Sequence, residues 1–210
     1  MDPRGVLAIV VAHASGSWLD RVLDSLVAQT HEPMDVVVAR VGEVTVGARS
    51  GVRTQDLAPN IGFAAAVNDV LVADSSGHPY VLVLHDDVEL DPDAVRHLVE
   101  KAEESPDSYA VGAKLLEMDR PEVLQEVGGS IDRFAIRHTG IDPDEVDHGL
   151  YDATDDVLYA SAACLLVRRD ALDSVGGMDP DAWPLYDDVD LCWRLRRAVS
   201  YTHLTLPTKA

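Results

Sequence analysis

The sequence predicts an α/β fold in which a mostly parallel sheet carries helices on both faces, and three observations lead to it. Short runs of β-branched and aliphatic residues, among them Val6–Ala12 and Tyr80–Leu84, alternate with stretches whose apolar positions recur at helical spacing. The connections between them are short, which implies parallel strands joined by right-handed crossovers. The run Tyr80–Leu84 also stops abruptly at His85, Asp86 and Asp87. Acidic residues at the carboxyl end of a buried strand sit where open α/β sheets bind ligands.

Val6–Ala12 reads as the first strand, and Ala14-Ser15-Gly16-Ser17 as the loop that opens a helix. Leu19, Val22, Leu23, Leu26 and Val27 form that helix's inward face, and Pro33 stops it. Val36–Ala39 is the second strand. Residues 41–58 are weakly patterned, with a short strand near Gly51–Gln55. Asn60-Ile-Gly-Phe63 opens a helix over Ala64–Ala73 with Asn60 as cap, and Ser75-Ser76-Gly77 ends it. After Tyr80–Leu84, Asp91 is the expected N-cap and Pro92 the first residue of a helix reaching Ser105. A strand over Tyr109–Lys114 follows.

Residues 117–156 change character, becoming acidic, rich in Gly, His and Pro, and poor in periodicity. They read as an insertion flanking the site, laid over the sheet edge. A strand Leu158–Val167, a helix Arg169–Val175 and a sharp turn at Gly176-Gly177 come next. The last helix runs over Leu191–Ala198, with Leu191, Leu195 and Ala198 inward and Asp190 at its positive end. Phe63, Cys164 and Trp193 are assigned to packing. Residues 1–198 thus read as one domain. Val199–Ala210 holds no acid in a chain otherwise crowded with them, and has the look of a non-native read-through tail, so that the natural protein is expected to continue beyond Ala198.

Over 210 residues the net charge is −20, which argues against nucleic acid or an anionic membrane surface as the main partner. The only cysteines, Cys164 and Cys192, lie in apolar settings and read as reduced core thiols, which suits the cytoplasm. No apolar run has the length of a membrane span. An anionic small molecule remains compatible with so acidic a chain if a cation or a helix N-terminus neutralises it locally. Asp86 and Asp87 repel one another, and Mg²⁺ or Mn²⁺ is the natural compensating ion.

Three clusters then line up in order: Asn60-Ile-Gly-Phe-Ala-Ala-Ala-Val-Asn68, His85-Asp86-Asp87, and Gly176-Gly-Met-Asp179 before Tyr186-Asp-Asp-Val-Asp-Leu-Cys-Trp-Arg194. With Ile9-Val-Val-Ala-His13 and Leu26-Val-Ala-Gln-Thr30, they resemble the family 2 glycosyltransferases of the GT-A, Rossmann-like fold over residues 6–198. The resemblance implies transfer of a sugar from a nucleotide-diphosphate donor to an acceptor hydroxyl, with inversion at the anomeric carbon. It implies a glycan or lipid-linked acceptor in cell-envelope synthesis, at the inner face of the membrane, with any membrane contact made through a C-terminal part beyond Ala198.

By the same resemblance Asp87 takes the metal-ligand position of a DxD-like motif, with His85 in place of its first acid. Asp188 takes the general-base position of an ED-like motif, and Asp187 replaces its Glu. His13, Asn60, Gly62, Asn68 and Asp86 are placed toward the nucleotide sugar, and Trp183 is a candidate for stacking on a sugar face. The chain departs from the pattern at Ala39-Arg-Val-Gly42, where the family usually carries an acidic loop that helps hold the base. The competing readings are an inactive nucleotide-sugar-binding homologue and a nucleotidyltransferase. The second would want a basic phosphate loop that Ala14-Ser-Gly-Ser17 does not supply.

Overall fold

The computed structural model describes residues 2–152, 156–182, 185–198 and 204–205. Trp183 and the rest of the tail, 199–203 and 206–210, lie outside them. In chain order the main elements are β1 (Val6–Ala12), α1 (Ser17–Val27), β2 (Met34–Val41), β3 (Val52–Leu57), α2 (Phe63–Ala73), β4 (Tyr80–His85), α3 (Ala94–Glu104) and β5 (Ala110–Gly112). Then come β6 (Leu115–Glu117), β7 (Arg120–Glu126), β8 (Ser130–Ile131), β9 (Arg137–His138), β10 (Cys164–Arg168), α4 (Arg169–Ser174), α5 (Asp187–Ala198) and β11 (Leu204–Thr205). The central sheet is ordered β11-β5-β10-β4-β1-β2-β3.

Strands β1, β2, β3 and β4 are mutually parallel, as the alternating pattern predicts. Strand β10 is antiparallel to both β4 and β5, so the sheet is mostly rather than wholly parallel. Every residue of β1 is buried, because helices cover both faces. Leu7, Ile9 and Val11 face a core shared with α2, α4 and α5. Val6, Ala8 and Val10 face the opposite core, shared with α1 and α3.

The chain leaves β1 for β2 and β3, then returns through α2 to place β4 on the other side of β1. This is a topological switch point, and it opens a crevice beyond the carboxyl ends of β1 and β4. His13 follows one of those ends and His85-Asp86-Asp87 the other.

Several local expectations are corrected. Helix α3 begins at Ala94 with Asp93 at its cap, and Asp91 instead accepts the Asp93 N–H at 3.0 Å in a turn. Helix α2 is capped by Gly62, while Asn60 stands in a left-handed conformation at φ 64°. Helix α5 starts at Asp187 rather than Leu191; Asp190 lies in its first turn, at the positive end as expected, and pairs with Arg194 at 2.7 Å. Val27, Trp193 and Ala198 are exposed rather than inward. The last main strand is confined to Cys164–Arg168, with Tyr159 held by an isolated bridge to Gly129. The insertion also has more structure than its patterning suggests: two small antiparallel pairs, β6–β7 and β8–β9. Its later part is fastened by buried Lys114, which meets Asp147 at 2.8 Å and Asp152 at 2.5 Å.

Candidate active site

The crevice holds a cavity of about 420 Å³ lined from four directions. His13 and the His85–Asp87 turn come from the sheet, Gly62 and Phe63 from the start of α2, and Asp187 and Asp188 from the start of α5. Arg137 reaches in from β9. Asp87 and Asp188, 101 positions apart in sequence, therefore face one volume. Asp87 is exposed and also borders two adjoining cavities, of about 550 Å³ and about 750 Å³.

Each acid is held differently. Asp86 accepts the His13 N–H at 2.9 Å, which ties the ends of β1 and β4 together and leaves Asp87 outward in the turn. The His85 ring packs edge-on against Phe63, with centroids 4.8 Å apart. Asp188 is buried, and its Oδ1 accepts both the Val189 N–H, at 2.7 Å, and a guanidinium N–H of Arg137. Burial raises the Asp188 carboxyl above the ordinary carboxylate range, against the opposing pull of Arg137 and the Val189 N–H. Asp187 is half-buried beside it.

Two expected residues are not brought to the cavity lining. Asn60 is exposed and outside it. The Asn68 amide is spent on the backbone of Met178, donating to its carbonyl at 2.7 Å and accepting its N–H at 2.9 Å. That clamp explains the preceding glycine. Gly177 has φ 83°, and a Cβ there would collide with the Asn68 carbonyl oxygen. Asn68 thus fixes the loop leading to Asp179, which does line the cavity.

The sequence reading missed Arg137 and Glu126. Arg137 is clasped between the rings of Tyr159 and Tyr186, at 4.6 Å and 5.2 Å from their centroids. Glu126, at the end of β7, is largely buried; burial first, and then the Asp188 charge, push its carboxyl upward. One available signal was scarcity, since Arg120, Arg133 and Arg137 are the only basic residues of the acidic stretch 117–156 apart from its histidines.

The donor set suits a hard divalent ion of the kind that keeps substrate oxygens in its shell. Asp87 offers an uncommitted, exposed carboxylate and His85 a neighbouring ring, whereas one oxygen of Asp86 is already engaged. Among the described residues no group of three or more His, Cys, Asp or Glu forms a complete cage. A Mg²⁺-type site built from one or two protein ligands plus phosphates does not need one.

Known structures share this architecture. S. aureus TarS, residues 1–349, matches with a TM-score of 0.64 at 13% identity, over 96% of this chain and 57% of that one. The mannosyltransferase PcManGT from Pyrobaculum calidifontis, in complex with GDP-Man and Mn²⁺, matches with a TM-score of 0.64 at 15% identity, over 98% and 56%. The fold is that of the GT-A glycosyltransferases. The chain spans little more than half the length of these two solved chains.

At the level of sequence, the chain is 28% identical over 225 aligned positions to the N-acetylglucosaminyl-diphospho-decaprenol L-rhamnosyltransferase of Mycobacterium tuberculosis, covering 90% of itself and 70% of that protein. The family model described as glycosyltransferase like family 2 matches residues 3–204, and the protein belongs to that family.

Proposed function

We propose that the protein is an inverting, metal-dependent glycosyltransferase using a nucleotide-diphosphate sugar and an acceptor hydroxyl. The observation that carries this reading is the single cavity that Asp87 and Asp188 share at the switch point. Inversion is one in-line displacement, so the acceptor's base and the leaving diphosphate's partners must lie on opposite sides of the reacting carbon. Asp188 takes the acceptor proton. The N-terminus of α2, at Gly62 and Phe63, lines the cavity, and the positive end of a helix favours phosphate there. Asp87 and His85 would hold Mg²⁺ or Mn²⁺, which when bound stabilises negative charge on the departing diphosphate.

The mycobacterial relative's name records rhamnose transfer to a decaprenol-diphosphate-linked sugar. That makes a deoxyhexose donor and a polyprenyl-diphosphate-linked glycan acceptor the first pair to assay, in cell-envelope synthesis at a membrane surface. Among the described residues no helix is long and apolar enough to cross a membrane.

Calorimetry with UDP, GDP and dTDP, with and without Mn²⁺, tests the metal role. Binding is expected to strengthen with Mn²⁺ in the unaltered chain and to lose that dependence in Asp87→Ala. Nucleotide binding indifferent to both would overturn it. For the base, Asp188→Asn is expected to lower transfer by about 10²–10⁴-fold while donor affinity holds. Undiminished transfer would place the base elsewhere.

A further inference from the structure

The cavity is lined by five aspartates, Asp86, Asp87, Asp179, Asp187 and Asp188, and among the described lining residues Arg137 is the sole Arg or Lys. Its placement is built rather than incidental. Arg137 closes the small β8–β9 pair opposite Ile131. Asp132 ties the connecting turn by accepting the Phe134 and Ile136 N–H groups at 2.8 Å and 3.0 Å. The Tyr186 hydroxyl donates to the Ala135 carbonyl at 2.9 Å, which locks the same turn to the residue just before α5. The two tyrosine rings then fix the guanidinium plane, and its remaining freedom is spent on Asp188.

We infer that Arg137 is a positioning residue: the hairpin of the insertion delivers a fixed guanidinium that holds the Asp188 carboxylate ionised and aimed into the cavity. This rests on the reading of Asp188 as the base, and gives the insertion a role in the chemistry rather than only in covering the sheet edge.

The physical need is plain from what else faces Asp188. Asp187 adds negative charge from its own helix, while Glu126 on β7 has its own carboxyl raised by burial and by the Asp188 charge. The Tyr159 hydroxyl, pushed up to about 12 chiefly by burial, stays neutral. His13, His85, Asp86 and Asp87 lie across the cavity. Burial and the neighbouring Asp187 favour a protonated Asp188, which cannot accept a proton, and Arg137, with the Val189 N–H, opposes them. A lysine would bring the charge without the planar fork or the ring stacking.

The test is a carboxyl-carbon NMR titration of the full chain carrying ¹³C-labelled aspartate, with the Asp188 signal identified by its loss in Asp188→Asn. Arg137→Gln is expected to raise the Asp188 midpoint by about one pH unit or more, since an adjacent cation depresses a carboxyl by roughly 1–3 units. Arg137→Lys should recover part of that shift. Tyr186→Phe, which keeps the ring but drops the tie to Ala135, should give a smaller shift of the same sign. Should Arg137→Gln fail to fold, the lysine and phenylalanine variants decide the matter. Asp188 midpoints unmoved in the folded variants overturn the inference. Failure of the parent reading looks different: transfer would survive Asp188→Asn while the titration still responded to Arg137.

Discussion

Asn68 shows how a residue that matches a binding motif can serve the site from behind. Its amide closes two hydrogen bonds on the buried Met178, in the loop that leads to the cavity wall. Asn68→Ala would leave a backbone N–H and a carbonyl unpaired there, at a cost of about 1–3 kcal/mol for each group left unsatisfied. Chemical denaturation should show that loss, with the midpoint moving and the slope unchanged. An unaltered midpoint would mean that the loop is held by other contacts. The strand-end histidine and acids were readable from sequence because a run of aliphatic residues that stops at charges marks a strand terminus. The tie from Asn68 to Met178 was not legible, because motif spacing reports a helical face without saying which neighbour that face meets. Asn60 was misread as the cap: an Asn before a helix usually caps it, but this one adopts the left-handed conformation and passes the cap to Gly62.

At the scale of elements, the two-sided strands were legible because burial on both faces demands unbroken apolar runs, and β1, β2 and β4 have them. The insertion was opaque because its pieces are short and gain their order from contacts far away in sequence. Lys114 is the clearest such contact. Burial would lower its ammonium, but the Asp147 and Asp152 carboxylates outweigh that and hold it above its ordinary value. Lys114→Met strands the buried Asp147 without this partner, and removing one side of a buried pair costs about 3–5 kcal/mol. We expect limited proteolysis to cut the variant within 140–152 before the sheet is touched. Cleavage no faster than in the unaltered chain would show that Lys114 does not fasten the insertion.

The molecule as a whole carries a net charge of −20, and its pH response follows from which acids folding favours or disfavours. Glu126 and Asp188 are raised by burial, so the native state binds their protons more readily than the unfolded chain does. Their contribution to stability grows as pH falls through those raised values. Asp74 is lowered: burial opposes its charge, but Ser76 and Arg169 prevail. Its contribution is present above the ordinary carboxylate range and is lost as pH falls through its lowered value. Self-repulsion also weakens as carboxylates protonate. Thermal unfolding is therefore expected to be hardest near about pH 5.5, easier at about pH 8, and much easier below about pH 3. A midpoint that declines steadily from pH 8 downward would contradict this balance. The reversed direction of β10 has a further consequence. Strand β5 runs toward the crevice and β10 runs away from it, so residues 113–163 depart from one rim and return to the same rim. That excursion can be lengthened, trimmed or exchanged without shifting the register of any main strand. Selectivity for what enters the crevice can therefore diverge between relatives while the scaffold beneath stays the same.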